Sequence, residues 1–528
     1  MKNLIINFVK KYWIFALATG LILAKLSFIL WQFKDGGFLV APGGDQYNHI
    51  KYAESLKAIA PNFPYPPLFH FFLNWIKDFW DGDYLKTMRV LAPYFLIAPI
   101  IMIYVLTKSL FSARVGLLSL MIAAFSSAYP LYNFADGSYP DLINYGIFIP
   151  CVFIFLIRAL KNGKWLDIFL SAFFIGLSFF THHLSSVVLM LILAIYLLIL
   201  FFNKNFLLNE DRKNLKRILY FYCFFLVFWI IIIYYTFGPS FLSAINNLFR
   251  QGAFPVSHIY ASKPFEYNEI NIIVRPLIEF LGLAGLLVMT LTIGKQKYQN
   301  SKILIIVWVI VVWLMSRFEW AGLPPRYLRY LELPLVISAG YFIKYIFSLT
   351  KIRMHKILTA GLLGYAIIIN SVQLTVPPFL LPDGFYPWVW YRQVDVEKFA
   401  SLTQNIKDDE IIVTTNSNPY LNYKLDKTNK LYAVRIADIP PCFLKTFDHS
   451  AEKEKHDCDK ESQDAITNVI KLNKARYIFI GQKPYDIDEK TFAEFTNYTV
   501  ATDFLKLFDK GKLLKQFTDG SKLYKIDF

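Results

Sequence analysis

Long apolar segments constrain the fold of this chain more than any other feature. Eleven of them are long enough to cross a bilayer as helices, which takes roughly 17 to 25 residues. Apolar residues make up 55% of the 528 residues and charged residues only 18%, whereas a soluble domain is about 25% charged. The sequence therefore predicts an α-helical polytopic membrane protein, with spans near residues 12–32, 89–110, 113–131, 142–160, 165–181, 184–203, 218–237, 272–293, 302–317, 327–349 and 356–375.

The net charge of +16 is concentrated among these apolar segments. Residues 376–528 carry 22 Lys and Arg against 23 Asp and Glu, so the whole basic excess lies before them. Lys and Arg in short loops favour the cytoplasmic side, and here they recur after every second span. The pattern predicts a multi-pass protein of the cell membrane with a cytoplasmic N-terminus and an uncleaved first span. Because the excess of Lys and Arg is explained by the loops on one side of the membrane, it does not indicate a nucleic-acid partner.

This topology divides the chain into two expected domains. Residues 1–375 form a transmembrane module whose first extracytoplasmic loop spans about 33–88. With eleven spans, residues 376–528 lie outside the cytoplasm as a soluble domain.

Two short segments in the C-terminal part predict strands. Two β-like segments, Glu410–Thr415 and Ala475–Ile480, are separated by helical stretches, which is typical of a mixed α/β domain. A hairpin of Leu513–Phe517 and Lys522–Ile526 is expected at its end, joined through an Asp-Gly turn.

Two cysteines, Cys442 and Cys458, lie in this C-terminal part. Outside the cytoplasm such a pair can oxidise, and a disulfide closing a loop of this size contributes about 3 kcal/mol in the chain-entropy model. The alternative is a metal site that combines these thiols with His449, His456 and Asp457, although the spacing fits no standard zinc pattern. We expect the disulfide.

The first extracytoplasmic loop contains Asp45 and His49, four residues apart. A helix that begins at Asp45 would place both side chains on one face. The alternative is that Asp45 only caps this helix and that His49 is a packed interfacial residue. Tyr65, Pro66 and Pro67 follow before a run of apolar aromatics.

Two further outer turns carry polar candidates. Asp136 and Asp141 lie in the second outer turn, where carboxylates and waters could bind Mg²⁺ or Mn²⁺; alternatively, Asp141 caps the next span. His182 and His183 close the following outer turn and could contact a phosphate or a cation. Interfacial packing is the alternative for this pair.

A basic segment, residues 317–334, is placed outside although Lys and Arg favour the inside. Arg326 and Arg329 share a helical face, and Glu332 could pair with Arg329. Charges that enter a span commonly line a functional cavity, and the planar guanidinium suits phosphate oxygens. Structural ion pairing is the alternative.

Together these motifs resemble the GT-C glycosyltransferases, integral membrane enzymes that use polyprenyl-phosphate-linked or polyprenyl-diphosphate-linked sugars. Residues 44–49 are similar to the family's Asp-x-Tyr-x-His/Asn pattern, and Tyr65-Pro66-Pro67 to its Tyr-Pro-Pro segment. The stretch around Asp141 resembles the second outer loop of oligosaccharyltransferase catalytic subunits. Residues 326–334 resemble the family's late-span segment, in which a basic residue engages the lipid phosphate.

The resemblance implies roles for these residues. Asp45 would be the catalytic base or substrate-orienting carboxylate, and Arg326 and Arg329 would bind the lipid phosphate. A divalent cation would lie at Asp141 and Asp136, although Ile143 stands where the family has a second acid. The remaining substrate-binding candidates are His49, Tyr65, His182 and His183.

The resemblance also implies the reaction and its partners. We expect transfer of a hexosyl or pentosyl unit at the extracytoplasmic face, with a polyprenyl-phosphate-linked donor, a glycan, lipid or protein acceptor, contact with membrane lipids and no nucleotide cofactor. The C-terminal part lacks the Trp-Trp-Asp signature of oligosaccharyltransferases, which favours transfer of a single sugar. The alternatives are a multispan transporter or lipid flippase, a polysaccharide polymerase or ligase, and a non-catalytic relative.

Overall fold

The chain forms two compact units in the computed structural model: Met1–Gly36 with Ala41–Pro378, and Gly37–Val40 with Phe379–Phe528. The structure describes residues 2–35, 48–54, 66–125, 138–203, 209–237, 276–294, 298–317, 327–349, 361, 364, 411–414, 431–433, 475–480, 512–516 and 522–525.

The first unit is helical wherever it is described apart from short turns. A short helical stretch covers residues 48–54. The longer helices are α1 Lys2–Asp35, α2 Leu68–Ile76, α3 Tyr84–Leu110, α4 Ala113–Phe125, α5 Tyr139–Asn162, α6 Trp165–Phe179, α7 His183–Phe202, α8 Asn209–Phe237, α9 Pro276–Leu291, α10 Gln299–Met315 and α11 Glu332–Leu349. A 3₁₀ turn, Lys77–Trp80, extends α2.

Several of these helices have the length and apolar character of membrane spans. In the described part of the chain five of them qualify: α3, α5, α7, α8 and α11. Five shorter apolar helical segments lie in α1, α4, α6, α9 and α10. Ten of the predicted spans overlap a described helix, whereas the last, 356–375, falls almost entirely outside the described residues. The total of eleven spans therefore stays a prediction.

Local chemistry explains where two of these helices begin and end. Asp83 precedes α3 in an extended conformation, and its Oδ1 accepts hydrogen bonds from the backbone N–H groups of Leu85 at 2.8 Å and Lys86 at 3.2 Å, as an N-cap should. Gly163 ends α5 with φ +64°, and its N–H donates to the Ala159 carbonyl. A residue without Cβ adopts this left-handed conformation at no steric cost.

Small residues allow α9 and α11 to approach closely. A Cβ added to Gly285 would lie 2.1 Å from the Ser338 carbonyl oxygen, and one added to Gly282 would lie 2.9 Å from Leu335 Cβ. On the α4 side, a Cβ on Gly340 would lie 2.2 Å from Ser119 Oγ. Small residues at helix contacts are typical of membrane bundles, where packing rather than hydrophobic burial drives association.

The described residues of the second unit form five strands: β1 Ile411–Thr414, β2 Leu431–Ala433, β3 Ala475–Ile480, β4 Lys512–Gln516 and β5 Lys522–Lys525. They pair into one sheet with the strand order β2-β1-β3-β5-β4. The strands β1 and β3 are parallel, β1 also pairs in parallel with β2, and β5 runs antiparallel to both β3 and β4.

The sheet confirms the strands that the sequence predicted. β1 and β3 lie within the two β-like segments, and β4 and β5 form the expected hairpin. The predicted helices of this unit lie outside the described residues, so its mixed α/β character stays a prediction.

Candidate functional site

Two buried histidines join the short helix over residues 48–54 to α2. His49 Nδ1 lies 3.2 Å from His70 Nε2, and His70 Nδ1 lies 3.2 Å from the Pro66 carbonyl oxygen. Phe69 and Tyr52 pack edge-on against the two imidazoles, with ring centroids 5.6 Å from His49 and 5.5 Å from His70. The pair is therefore buried among aromatic rings.

This environment keeps both imidazoles neutral. Burial lowers the pKa of His70 to about 4, against the opposing effect of its hydrogen bond to Pro66. Burial also lowers the pKa of His49 well below its ordinary value of 6.5, and positive charge on His70 or His182 lowers it further. Because an apolar surrounding disfavours the imidazolium, neither ring carries a proton charge at pH 7.

A backbone hydrogen bond links this first loop to the turn between α6 and α7. The N–H of Leu68, the first residue of α2, donates to the Phe180 carbonyl over 2.8 Å. The buried face of α2 carries Phe69, His70 and Leu73. The backbone at the start of α2 is therefore hydrogen-bonded to Phe180, which lies two residues before His182.

Asp141, His182 and Tyr330 meet at the start of α5. Asp141 is almost fully buried, and its Oδ1 lies 3.0 Å from His182 Nδ1. The Tyr330 hydroxyl donates to the same oxygen over 2.8 Å. His182 Nδ1 also lies 2.9 Å from Ser185 Oγ and 3.5 Å from the Ser185 backbone nitrogen. Asp141 lies inside the first turn of its helix, after Ser138 at the N-cap position, which contradicts the alternative that Asp141 is the cap.

A π-helical turn, Asn144–Phe148, follows within α5. The amide nitrogen of Asn144 donates to Ser185 Oγ at 2.9 Å, and to Ser186 Oγ and the His182 carbonyl at 3.2 Å each. These bonds hold the beginning of α7, where His182 occupies the N-cap position. Turns of this kind are frequent at functional sites because they redirect side chains.

Tyr145 connects the same turn to α10 and to the segment before α11. Its hydroxyl donates to the Tyr330 carbonyl and accepts a hydrogen bond from Trp308 Nε1 at 2.7 Å. The rings of Tyr145 and Tyr330 pack with centroids 4.4 Å apart. Tyr330 is therefore fixed both through its backbone and through its hydroxyl.

The structure describes five of the predicted site residues. His49, Asp141 and His182 belong to the contacts above. His183 is the first residue of α7 and is partly buried, and Arg329 is partly buried beside Tyr330. The candidates Asp45, Tyr65, Asp136, Arg326, Cys442 and Cys458 lie outside the described residues.

Four residues of this site were not singled out by the sequence: His70, Asn144, Tyr145 and Tyr330. His70 lies three residues after the Tyr65-Pro66-Pro67 segment, and Tyr330 lies within the basic segment, residues 317–334. Their burial and their partners are tertiary properties, which the spacing of residues does not reveal. The π-helical turn that orients Asn144 and Tyr145 has no sequence signature of its own.

The described residues do not form a cation site. Among them, no three His, Cys, Asp or Glu side chains are grouped to hold a metal ion, and Asp141 Oδ1 already contacts His182 and Tyr330. The predicted site also requires Asp136, which lies outside the described residues. We therefore derive no step through a cation.

Comparison with solved structures identifies the fold. The archaeal oligosaccharyltransferase AglB from Archaeoglobus fulgidus, solved with an inhibitory peptide and a dolichol-phosphate, matches with a TM-score of 0.61 and 12% identity over 89% of this chain and 70% of its own. ArnT from Cupriavidus metallidurans matches with a TM-score of 0.54 and 16% identity over 96% of this chain and 98% of its own. The chain has the GT-C fold.

Two further matches extend this result. The arabinofuranosyltransferase AftD from Mycobacteria matches with a TM-score of 0.52 and 11% identity over 98% of this chain, which spans 40% of AftD. The Archaeoglobus enzyme was also solved with Zn and sulfate, and that structure matches with a TM-score of 0.61 at 11% identity over 88% of this chain and 67% of its own. No protein-family model and no curated protein matches this sequence. The GT-C resemblance expected from the motifs is confirmed at the level of the fold.

Proposed function

We propose that this protein is a membrane glycosyltransferase that moves one sugar from a polyprenyl-phosphate-linked donor to an acceptor at the extracytoplasmic face. The observation that carries the proposal is the convergence of four segments far apart in sequence. Leu68 contacts Phe180, and Asp141 contacts both His182 and Tyr330. Among the described residues, these contacts include the candidates Asp141 and His182.

The fold supports the same reaction class. AglB was solved with a dolichol-phosphate, and ArnT was solved bound to undecaprenyl phosphate. A donor of this kind cannot leave the bilayer, so its anomeric carbon must react where spans and outer loops meet. We extend this donor class to the present chain as part of the proposal.

The proposal includes the predicted topology. Eleven spans and a cytoplasmic N-terminus put the Asp141 and His182 turns outside the cytoplasm, together with the domain over residues 376–528 and its Cys442–Cys458 disulfide. Residues 1–375 form the catalytic module. The support for this arrangement is the recurrence of Lys and Arg after every second span.

In the proposed reaction an acceptor hydroxyl attacks the anomeric carbon of the donor. The bond between that carbon and the phosphate oxygen breaks, with inversion, and the hydroxyl proton passes to the Asp45 carboxylate. The polyprenyl phosphate leaves with its negative charge stabilised by Arg326 and Arg329. Arg329 directly precedes Tyr330, whose contacts with Asp141 and Tyr145 fix this part of the chain.

The remaining candidates bind substrate in this proposal. His182 is oriented by Asp141, and His183 begins α7 beside it. Tyr65 precedes the two prolines that lead into α2. A divalent cation at Asp136 and Asp141 is a separate proposal; its support is the GT-C neighbour solved with Zn and sulfate.

Sugar transfer by membranes that contain equal amounts of each variant tests this function. The assay uses a panel of radiolabelled polyprenyl-phosphate sugars with wild type, Asp45→Asn and Asp81→Asn. Asp81 is the matched control because it lies in the same loop and its ion pair with Lys86 is solvent-exposed, which contributes little to stability.

We expect transfer by wild type and Asp81→Asn, with a loss of about 100-fold or more in Asp45→Asn, as for removal of a general base. Equal transfer by all three proteins would remove Asp45 from the mechanism. Absence of transfer from every donor would contradict the proposed function.

A further inference from the structure

A group of Lys and Arg side chains, all exposed or partly exposed, lies at the end of the helical unit opposite the Asp141 contacts. We call this group the basic surface; its members are Arg158, Lys161, Lys164, Lys213, Lys216 and Arg217. Asp141 lies in the first turn of α5 and Arg158 near its end, so a rise of 1.5 Å per residue separates them by roughly 26 Å. This separation is close to the thickness of a bilayer's hydrocarbon core, about 30 Å.

The turn between α5 and α6 is fixed against the start of α8. The buried Asn214 of α8 donates from Nδ2 to the Leu160 carbonyl over 2.9 Å. Gly163 of the turn has φ +64°, and a Cβ added to it would lie 2.4 Å from Asn214 Oδ1. This close contact brings the lysines of the turn, Lys161 and Lys164, to the first turns of α8.

The two arginines of the basic surface are held in place by neighbouring side chains. Arg158 Nη2 lies 3.1 Å from Oδ1 of the buried Asp167, while half of the Arg158 side chain stays exposed. The Arg217 guanidinium lies over the ring of Trp165, 6.0 Å from its centroid, which is a cation–π contact. Both planar guanidinium groups are therefore positioned at the surface, where their geometry suits phosphate oxygens.

The charge of this surface stays positive when the neighbouring carboxylates are counted. Residues 158–167 and 209–217 together contain seven Lys and Arg against three Asp and Glu. One of these carboxylates, Asp167, is buried and contacts Arg158. An anion is therefore the ligand that this surface would attract.

Exposed apolar side chains continue from the basic surface along α6 and α8. They are Trp165, Leu166, Phe169, Tyr220 and Phe224. The two helices pack through aromatic rings, with Trp165 6.2 Å from Phe221 and Phe169 6.0 Å from Phe225 between centroids.

Helix α8 is the most exposed of the five described spans. Only 11% of its apolar span is buried, against at least 50% in each of the other four. Exposed Trp and Tyr side chains at the end of a span are typical of the level of the lipid headgroups. The basic surface thus lies where headgroups would lie, and the apolar residues lie where acyl chains would lie.

We propose that the basic surface binds the phosphate headgroup of an anionic phospholipid, whose acyl chains lie along the exposed apolar residues of α6 and α8. The inference does not rest on the proposed sugar transfer, because the reacting groups are placed at the other end of α5. In the proposed topology this end faces the cytoplasmic leaflet, where anionic lipids attract clustered Lys and Arg.

Native mass spectrometry of the full-length protein in detergent tests the proposal. Dissociation constants are measured for phosphatidylglycerol and for phosphatidylcholine, which has the same acyl chains and no net charge. The test variant is Lys164→Gln/Arg217→Gln. The matched control is Lys108→Gln/Arg114→Gln, which removes the same charges from exposed residues beside the turn between α3 and α4. It also includes a cation over an aromatic ring, Lys108 over Tyr104.

We expect wild type to bind phosphatidylglycerol at least about tenfold more tightly than phosphatidylcholine. The test variant should lose roughly tenfold or more in affinity for phosphatidylglycerol and little for phosphatidylcholine, whereas the control should stay within about twofold of wild type. Equal affinity of wild type for the two lipids would overturn the proposal. Equal losses in the test and control variants would also overturn it, because they would indicate attraction to the charge of the whole protein.

A second lysine pair keeps the proposal testable if the loss of Arg217 from Trp165 prevents folding. Lys161→Gln/Lys213→Gln changes two exposed lysines of the basic surface and should weaken phosphatidylglycerol binding in the same direction. Unchanged binding in this variant would contradict the proposal.

Glycerol 3-phosphate distinguishes a lipid site from a site for a free phosphate. It carries the phosphate without acyl chains and should bind at least about tenfold more weakly than phosphatidylglycerol, since it cannot contact the apolar residues of α6 and α8. Equal affinity for the two compounds would overturn the assignment to a lipid.

Discussion

Tyr330 donates a hydrogen bond to Asp141 over 2.8 Å, although 189 positions separate the two residues in the sequence. Both side chains are buried, and the accepting oxygen of Asp141 also lies 3.0 Å from His182 Nδ1. This single carboxylate oxygen therefore joins the segment that carries Arg329 to the start of α5 and to the turn before α7. The proposed site depends on that connection.

Tyr330→Phe should reduce transfer by about tenfold. The variant keeps the ring that packs against Tyr145 but removes one of the donors that orient Asp141, at the cost of a buried hydrogen bond. The measurement is kcat/KM for the lipid-linked donor in reconstituted protein, together with the thermal midpoint.

Tyr196→Phe is the matched control for this prediction. Tyr196 is fully buried on α7, and among the described residues its hydroxyl has no hydrogen-bond partner. Removal of this hydroxyl should leave the transfer activity and the thermal midpoint close to those of the wild type. Equal activity of Tyr330→Phe and Tyr196→Phe would show that the Tyr330 hydroxyl does not support the reaction.

Gly285→Ala should destabilise the helical unit, because the added Cβ would lie 2.1 Å from the Ser338 carbonyl oxygen. Overpacking of this kind costs about 1–3 kcal/mol. The check is the thermal midpoint of the purified protein, with Gly20→Ala on α1 as control, since a Cβ at Gly20 has nothing within 4 Å. A midpoint unchanged in Gly285→Ala would mean that α9 and α11 are less closely packed than described.

Acid should destabilise the wild type through His70. The pKa of His70 is about 4 in the folded protein against an ordinary value of 6.5, so the unfolded chain binds more protons between these two pH values. The free energy of unfolding then falls as pH is lowered from 6.5 to 4 and has no further contribution from His70 below that window. His70→Gln should show a shallower decrease in thermal midpoint over the same range. Parallel curves for the two proteins would contradict the low pKa.

Much of the helical architecture follows from composition, because a bilayer requires long apolar helices. The strands β1, β3, β4 and β5 follow from segments rich in strand-forming residues and from a turn dipeptide. β2, Leu431–Ala433, has only three residues, which is too short for its composition to predict a strand.

The site was predictable only in its separate parts. Asp141 and His182 were each candidates, yet the contact between them joins two different helices. The spacing of residues along the sequence does not predict such a contact. His70 appears in the sequence as one residue among apolar aromatics, and only the fold shows that it contacts His49. Sequence patterns report which face of a helix is buried, whereas pairings between helices depend on packing across the whole unit.

The lipid product of the purified wild-type protein tests the central claim most directly. The protein is reconstituted in liposomes with either polyprenyl-phosphate sugars or polyprenyl-diphosphate sugars, together with a membrane extract that supplies acceptors. The lipids of both leaflets are quantified by mass spectrometry. We predict that donor is consumed mole for mole with the appearance of polyprenyl phosphate and a glycosylated acceptor. Donor that crosses the bilayer intact, or consumption only of diphosphate-linked donors, would contradict a transferase that uses polyprenyl-phosphate sugars.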